Sequence, residues 1–332
     1  MKTFAFLFNP VEVKHIREFW PVTHLMPDFF LKSFLKNQGF KISPLKTFTS
    51  KLGKQIQGYF IVSPLLPDQD LAAEEELVLD KIISASYLAR DLGADILGLG
   101  GYASVLAEQK PMLSRHIKTP ITSGSSFTAW SVIEALYCAC QAKKVDIKSS
   151  HLAISGAAHM VGSLCARKLS GSVKKLILCD RNQAKLEALK EQIIQQGPAD
   201  IEICRDAKTG VRDANIVIAA SPDKDPECEI NALRPNAIVV DMCLFSHLSG
   251  KAVSRHDVTV IEGGLIKLPA QDNTNTHGGF PRNMVSASMA ETMLLTFEEK
   301  TALAALGLDA SVEKLEPLAD LAVRHGFQVH VP

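Results

Sequence analysis

The sequence has no excess of charge of either sign, no long apolar run and no cysteine pair of the kind that binds metal. It has 332 residues, with 36 Lys and Arg against 36 Asp and Glu, so its formal net charge is zero. We therefore expect no nucleic-acid partner and no long-range attraction to anionic membranes. No apolar run reaches the roughly 18 residues of a membrane span. Small molecules or other proteins are the expected partners.

The seven cysteines include no Cys-x-x-Cys pair and no cluster with histidine at zinc spacing. This pattern predicts reduced thiols, no metal site and a cytoplasmic location. Near the amino terminus, Asn9, Pro10 and Glu12 interrupt the first apolar patch too early for the core of a secretory signal. We predict that this patch is a buried strand.

The composition, 46% apolar and 22% charged, is that of a globular protein long enough for two domains. Before residue 127, periodicity predicts a strand TFAFLF, two strands about a Lys-Leu-Gly-Lys turn, a helix over about Leu71–Leu92 and two short apolar strands. Helices are predicted over Thr128–Lys143, Ser286–Lys300 and Ser311–His325. The last two are expected to pack back on the first domain.

From Ser150 to about Gly264, short apolar strands alternate with helices at the spacing of parallel βαβ units. The predicted fold is α/β, with a doubly wound parallel-sheet Rossmann domain and a smaller α/β substrate domain completed by the carboxyl-terminal helices. We place the substrate domain at 1–126 with 284–332, and the dinucleotide-binding domain at 127–283.

The strand HLAIS runs into a loop suited to the pyrophosphate of a dinucleotide. A dinucleotide fold needs a glycine for the tight turn, a small residue where backbone meets phosphate, and a glycine for close helix packing. Gly156, Ala158 and Gly162 stand at these three positions. A Rossmann-like domain that has lost its ligand is the alternative. The predicted cofactor loop is Gly156, Ala157, Ala158, His159, Met160, Val161 and Gly162.

Asp180 ends the next strand, 24 positions after Gly156. A carboxylate there accepts hydrogen bonds from ribose hydroxyls and repels a 2′-phosphate, which favours NAD. Arg181 follows directly and is able to pair with that phosphate, so NADP stays open. The alternative role for Asp180 is a helix cap, but Asn182 serves that purpose equally well.

Further motifs run through nearly the whole chain. They are Gly93-Ala94-Asp95-Ile96, Leu99-Gly100-Gly101-Tyr102, Thr122-Ser123-Gly124, Thr128-Ala129-Trp130, Leu176-Ile177-Leu178 with Arg181-Asn182, Glu262-Gly263-Gly264, Ala290-Glu291 with Met293-Leu294-Leu295, and Arg324-His325-Gly326-Phe327-Gln328. With the phosphate loop, they resemble the long-chain acyl-[acyl-carrier-protein] reductase family, within the shikimate dehydrogenase-like superfamily. The resemblance implies an NAD(P)-dependent enzyme of lipid metabolism that reduces an acyl-carrier-protein or CoA thioester to a fatty aldehyde.

The sequence departs from the family pattern at three places that the resemblance links to catalysis or cofactor binding. Ser288 stands where the family has its nucleophilic Cys, and a hydroxyl needs a positioned base that a thiol does not. Ser125-Ser126-Phe127 replaces Asn-Thr-His and removes an imidazole. His159 replaces the middle glycine of the phosphate loop; histidine adopts positive φ more easily than most residues.

Candidate catalytic residues are therefore Ser288, Cys243 and Glu291. Cys243 lies just past the end of a parallel strand, where such sheets bind ligands, although most unpaired cysteines are small core residues. Glu291 shares a helix face with Ser288 and is able to act as acid or base if buried, with a helix-surface charge as the default. His277, in the loop Gln271–Pro281, is either a proton donor or a solvated loop histidine.

The remaining candidates are small residues at strand ends. Ser123, Gly124, Ser125 and Ser126 are expected to hold a carbonyl or phosphate oxygen at a helix amino terminus, or else to cap the helix. Further substrate contacts are predicted at Gly101 and Ser104, and further cofactor contacts at Ala220, Ser221, Gly263 and Gly264.

The sequence is also compatible with two other functions. The first is direct hydride transfer on a small keto or hydroxy acid, as in relatives of shikimate dehydrogenase, which needs no nucleophile. The second is a cofactor-binding protein without catalysis. Acyl chain length, reaction direction and oligomeric state do not follow from the sequence.

Overall fold

The computed structural model contains two compact units, each built around a largely parallel sheet. The first unit is Met1–Gly124, Lys267–Ala310 and Leu318–Gln328, and the second is Ser125–Ile266, Ser311–Pro317 and Val329–Pro332. The structure describes residues 1–10, 13–36, 38–45, 47–65, 75–110, 113, 117–195, 200–221, 230–242, 255–269, 280–307 and 310–331.

Six strands form the sheet of the first unit. They are β1 (Lys2–Phe8), β2 (Lys41–Pro44), β3 (Phe48–Thr49), β4 (Gln55–Val62), β5 (Ile96–Leu99) and β6 (Ile121–Thr122). Along the order β4-β1-β5-β6 the strands are parallel, while β2 and β3 pair antiparallel with β4. The two strands predicted about a tight turn are confirmed as β3 and β4, and Gly53 supplies the positive φ of +76° that this turn requires.

The second unit has six parallel strands. They are β7 (His151–Ser155), β8 (Lys175–Cys179), β9 (Asp200–Cys204), β10 (Ile216–Ala219), β11 (Ile238–Asp241) and β12 (Thr259–Glu262), in the order β12-β11-β10-β7-β8-β9. This order reverses direction between β7 and β10, as in the doubly wound dinucleotide fold. The predicted Rossmann fold is confirmed. Three short strands, β13 (Leu265–Lys267), β14 (Met284–Ser286) and β15 (Gln328–Val329), form a further sheet in the order β14-β13-β15.

The predicted helices are present among the described residues with shifted ends, and four further helices, over 13–19, 28–36, 102–109 and 207–210, were not predicted. The helices are α1 (Val13–Phe19), α2 (Asp28–Lys36), α3 (Glu75–Asp91), α4 (Tyr102–Gln109), α5 (Ser125–Lys143), α6 (Met160–Leu169), α7 (Gln183–Ile194), α8 (Ala207–Gly210), α9 (Ala287–Glu298) and α10 (Leu315–His325). Helix α5 begins three residues before the predicted Thr128, because Gly124 (φ +74°) turns the chain and Phe127 is already fully buried. Before α10, Val312–Lys314 is a 3-10 helix. None of the described helices is long and apolar enough to cross a bilayer.

Helix α9 is buried along most of its length and packs on β1, β4 and β5. Ser286 caps it, since its hydroxyl accepts a hydrogen bond from the Met289 N–H at 3.2 Å. Gly98 in β5 permits the close approach, because a Cβ there would overlap the side chain of Thr292. The packing fixes where the first turn of α9 lies at the sheet.

A partly buried ion-pair cluster joins the end of α9 to α10. Glu298 Oε1 accepts a hydrogen bond from Lys54 Nζ at 2.7 Å and lies 2.9 Å from Nε2 of the fully buried His325. The His325 ring stacks on Phe297 with centroids 4.9 Å apart. Lys54 chiefly lowers the pKa of Glu298, to about 2, and burial lowers the pKa of His325.

We expect this cluster to make the first unit sensitive to acid. The lowered pKa of Glu298 contributes stability that is complete above the ordinary value of 4.5 and is lost as the pH falls toward 2. Because burial lowers the pKa of His325, this residue also contributes stability that is lost as the pH falls below about 6.5. In urea unfolding at a series of pH values, Glu298→Gln should remove on the order of 1–3 kcal/mol of this dependence. Glu316→Gln, at the exposed pair with Lys168, should change it by less than about 0.5 kcal/mol, and equal effects would contradict the prediction.

Candidate cofactor and substrate sites

Backbone hydrogen bonds tie the turn between β7 and α6 to the end of β8. Gly156 has φ +76°, and the N–H groups of Gly156 and Ala157 both donate to Cys179 O, at 2.9 and 3.0 Å. The first N–H groups of a helix lack an intrahelical acceptor. In α6 the first N–H that donates to a preceding carbonyl of the helix is that of Ser163, which donates to His159 O. Among the described residues, the N–H groups of Met160, Val161 and Gly162 therefore remain available to an anion.

The predicted loop residues meet at the point where the strand order reverses. A Cβ on Gly156 would lie 2.5 Å from Ser221 N and 2.7 Å from Ala220 C, and a Cβ on Gly162 would overlap Gly156 O. The ends of β7 and β10 thus touch through backbone alone. Ligands of doubly wound sheets bind in the crevice at this position. Gly156, Ala220 and Ser221, predicted separately, are brought together here.

His159 does not use positive φ. Its φ is −86° and its ψ is 160°, an extended conformation that most residues adopt, so this position does not need a glycine for its backbone conformation. The left-handed residue of this loop is Gly156. The His159 side chain instead turns toward Asp180, with Nε2 3.8 Å from Oδ2.

Asp180 lies at the end of β8 and is nearly buried, with 7% exposure. Its carboxylate accepts hydrogen bonds from Ala158 N–H at 3.3 Å and Asn182 N–H at 2.9 Å. Asn182, not Asp180, caps α7, because its side chain accepts from the Lys185 N–H. An ionised carboxylate has about four acceptor positions, so Asp180 retains capacity for further donors beside the loop.

Close packing around residue 263 requires a glycine there, independently of any cofactor. A Cβ there would lie 2.6 Å from Val240 Cγ1 and 3.0 Å from Val132 Cγ2, and Gly263 O accepts a hydrogen bond from Ser131 Oγ at 2.7 Å. These contacts bring α5 close to β11 and β12. They account for a glycine at 263, while the cofactor contacts predicted for Gly263 and Gly264 stay predictions.

In the first unit, polar and small residues follow the ends of the parallel strands. The register pairs Phe8 with Val62 and Leu7 with Leu99, which places Ser63, Asn9 and Gly101 in one row past the sheet edge. Gly101, with φ +56°, precedes α4, and its carbonyl accepts from Ser104 Oγ at 2.8 Å. The predicted substrate residues Gly101 and Ser104 belong to this edge.

Sequence reasoning missed Asn9 and Ser63 as members of this row. Within the described part of the chain, both polar atoms of the Asn9 amide and the hydroxyl of Ser63 are covered and lack a hydrogen-bond partner. A buried polar group without a partner costs roughly 1–3 kcal/mol, so unpaired groups of this kind are candidates for ligand contact. The signal in the sequence was a polar residue directly after each of two buried strands.

Ser123 and Gly124 are already engaged by the protein. Ser123 N–H donates to Ala305 O at 3.0 Å, and its hydroxyl lies 3.4 Å from the same oxygen. Gly124 N–H donates to Thr122 Oγ1 at 3.2 Å, and the Thr122 hydroxyl donates to Glu291 Oε1. A Cβ on Gly124 would overlap Ser288 Cα. This chain of contacts fixes the strand exit directly against the first turn of α9.

Glu291 is fully buried, so the default expectation of a helix-surface charge is wrong. Helix α9 is apolar on nearly every face, and a helix of this composition is buried all round. The Thr122 hydroxyl is a neutral donor to the carboxylate. In this arrangement Glu291 positions Thr122, and through it Gly124.

Ser288 has another hydroxyl as its neighbour. Its Oγ lies 3.1 Å from Ser286 Oγ, which already accepts the capping hydrogen bond from Met289 N–H. In the described part of the chain, no His, Lys or carboxylate is hydrogen-bonded to Ser288 Oγ. The hydroxyl is therefore placed to donate a hydrogen bond but not to lose its proton.

Ser125 and Ser126 lie in the first turn of α5, in the second unit, and both are buried. The Ser126 hydroxyl has no partner among the described residues, so it does not cap the helix. The alternative of a capping role is wrong for Ser126. Its role in substrate binding stays a prediction.

Cys243 and His277 lie outside the described residues. Five other cysteines are free thiols. Burial raises the pKa of Cys140 to about 11 and that of Cys165 to about 12, so neither is a reactive thiol at neutral pH. Among the residues described, no group of three or more His, Cys, Asp or Glu side chains is arranged to hold a metal ion.

No protein-family model matches the chain. It is 27% identical over 297 residues to a long-chain acyl-[acyl-carrier-protein] reductase of Synechococcus elongatus, with 85% of each chain covered. It is 25% identical over 292 residues to the aminotransferase PigE of a Serratia species, covering 85% of this chain but 33% of that protein. The chain thus spans about a third of this second relative.

Two solved structures align with nearly all of the chain at low identity. L-tryptophan dehydrogenase from Nostoc punctiforme is 11% identical, with a TM-score of 0.43 and coverage of 96% of this chain and 80% of that one. Quinate dehydrogenase from Corynebacterium glutamicum, solved in complex with NAD, is 13% identical, with a TM-score of 0.41 and coverage of 96% and 98%.

Proposed function

We propose that the chain is an NAD(P)-dependent oxidoreductase that reduces an acyl thioester to an aldehyde or uses that aldehyde. The observation that carries the proposal is the loop from Gly156 to Gly162 at the reversal of a six-stranded parallel sheet, with an acid at the end of the next strand. The similarity to a long-chain acyl-[acyl-carrier-protein] reductase supports the thioester as substrate. An acyl-carrier protein or CoA is then the partner that brings the acyl group.

The cofactor fits the residues present. The open N–H groups at the amino terminus of α6 would bind the pyrophosphate, and Asp180 would accept hydrogen bonds from ribose hydroxyls. The bound nicotinamide supplies a hydride. In thioester reduction the carbonyl carbon gains that hydride, the C–S bond breaks and the departing thiolate takes a proton. Donors at the sheet edge of the first unit, Ser288 Oγ among them, would stabilise the carbonyl oxygen as its charge grows.

Direct hydride transfer to a keto acid is the second candidate, and one observation favours it. The position where the resemblance implies a thiol carries Ser288, and within the described residues the neighbour of its hydroxyl is another hydroxyl and not a base. Direct transfer needs no nucleophile. The unpaired polar side chains of Asn9 and Ser63 would suit a small polar substrate as well as the polar end of a thioester.

The cofactor choice depends on Asp180. We expect Asp180→Ala to raise affinity for NADP more than for NAD, because the carboxylate would no longer repel a 2′-phosphate; close like charges can cost several kcal/mol. Isothermal calorimetry with both cofactors measures the ratio of dissociation constants. Asp206→Ala, at an exposed acid that caps α8, is the control. If Asp180→Ala changes the dissociation constants of both cofactors equally, Asp180 does not contact the ribose and its role is structural.

Substrate class is tested by incubating the protein with NADH or NADPH and one substrate at a time. The panel holds acyl-CoA and acyl-carrier-protein thioesters, long-chain aldehydes and small keto acids, and absorbance of the reduced nicotinamide is followed. Thioester-dependent oxidation with release of free thiol supports the proposal. Turnover of keto acids alone would favour direct transfer, and cofactor binding without turnover would favour a protein that has lost catalysis.

A further inference from the structure

Four apolar side chains stand close together in sequence and project into solvent. Val22 and Leu25, on the 3-10 helix Pro21–Leu25, are 51% and 90% exposed, and Phe29 and Phe30, in the first turn of α2, are 77% and 55% exposed. We call these four residues the apolar tip. The two rings lie together, with centroids 4.3 Å apart. Single exposed apolar residues are ordinary, but a cluster of this kind marks an interaction surface.

Buried residues and hydrogen bonds on either side of the apolar tip fix its position. Trp20 and Leu31, which flank it in sequence, are 8% and 0% exposed. The Thr23 hydroxyl donates to Trp20 O at 2.6 Å, and Arg17 Nη2 bridges Met26 O at 3.3 Å and Asp28 Oδ1 at 2.7 Å. The exposed side chains therefore sit on a fixed frame and are presented outward by the fold.

We propose that the apolar tip docks the protein on the surface of a phospholipid bilayer. Four side chains of this size would bury on the order of 600 Å² when fully covered, less than the roughly 800 Å² per partner of a stable protein interface. Insertion into the headgroup region needs no matching partner surface, and apolar and aromatic side chains beside basic residues are typical of interfacial anchors.

The charge of the segment suits an anionic headgroup layer. By sequence, residues 13–36 hold four basic residues, Lys14, Arg17, Lys32 and Lys36, against two acidic ones, Glu18 and Asp28, which is an excess of two positive charges in a chain that is neutral overall; Arg17 is paired with Asp28. The stretch from Phe19 to Pro27 has no Lys, Arg, Asp or Glu. An uncharged tip with a basic flank matches an interface whose surface is negative and whose interior is apolar.

This docking rests on the proposed function for its purpose. A long-chain aldehyde partitions into lipid, because each buried methylene adds to membrane affinity. An enzyme resting on the bilayer would deliver or collect such a product without its passage through water. Binding to the bilayer itself, however, is measurable without turnover, so the two proposals fail separately.

The test is flotation of the full chain with vesicles of phosphatidylcholine and phosphatidylglycerol (7:3), or of phosphatidylcholine alone. The wild type should float with the anionic vesicles, less so in high salt and less with phosphatidylcholine. The double variant Phe29→Ser/Phe30→Ser should bind at least about tenfold more weakly. Val323→Ser, a control at a 70% exposed valine in α10, should bind as wild type. Because all three side chains are exposed, thermal unfolding should change little.

Three results would overturn the inference. The first is a wild type that floats with neither kind of vesicle, and the second is a double variant that binds as well as wild type. The third is a wild type that is dimeric in size-exclusion chromatography, becomes monomeric in the double variant and does not bind lipid; the apolar tip would then be a contact between copies. Thioester reduction with no vesicle binding would remove the docking proposal alone, and binding with no turnover of thioester or aldehyde would remove the proposed function alone.

Discussion

Replacing Gly156 with valine is expected to weaken binding of NAD(H) and NADP(H) by more than about 100-fold, or about 2.8 kcal/mol. The φ of +76° is unfavourable for any L-residue and worst for a β-branched one. A Cβ would also meet Ser221 N at 2.5 Å and Ala220 C at 2.7 Å. Both are backbone atoms at a neighbouring strand end, so they cannot rotate aside as a side chain would. The turn must open, and the helix amino terminus moves with it.

A loss of binding in this variant has to be separated from a loss of fold. Gly171→Ala is the matched control, because a Cβ at Gly171 has no atom within 4 Å. Met160→Asp tests the same site with the fold spared. An acid in the first turn stabilises a helix through its dipole, yet here it would repel the pyrophosphate. We expect Met160→Asp to keep its melting temperature and lose cofactor affinity. Unchanged affinity in folded Gly156→Val and Met160→Asp would show that this loop does not bind the cofactor.

The second unit was predictable because its four inner strands are buried on both faces. Segments such as Leu176–Cys179 and Ile238–Val240 are uninterrupted apolar runs, which is how parallel strands covered by helices are encoded. The run Leu176–Cys179 is followed by the helix α7, and the alternation of apolar strands with helices predicts a parallel sheet. The phosphate loop was predictable for the same reason, since its position after the first strand defines it.

The first unit was harder because its polar contacts join distant segments. Thr122 and Glu291 are 169 positions apart, and nothing in either local sequence indicates that they form a hydrogen bond. The burial of Glu291 did have a signal, in the apolar composition of α9 on every face. The conformation of His159 had no signal in the sequence, because the spacing of small residues in the loop does not show which position has a positive φ.

We expect no covalent acyl-enzyme at Ser288. A serine nucleophile needs a base within hydrogen-bond reach, and among the described residues Ser288 Oγ has instead the hydroxyl of Ser286 at 3.1 Å. The nearby carboxylate, Glu291, is held by Thr122. Intact-protein mass spectrometry after mixing with acyl-CoA should therefore show the mass of the unmodified chain. An acyl adduct mapped to Ser288 would contradict this prediction.

Three variants show which route the chain uses if it does reduce thioesters. Direct hydride transfer predicts that Ser288→Ala and Cys243→Ala each lose less than about tenfold in rate, or about 1.4 kcal/mol. A Cys243 nucleophile predicts collapse in Cys243→Ala alone. Ser288→Cys should gain thioester reduction, because the position is fixed by Gly124 and by the Ser286 cap while a thiol is already partly ionised at neutral pH. The gain would show that the first turn of α9 still presents its second residue to the acyl group, and that the missing element is the nucleophile itself.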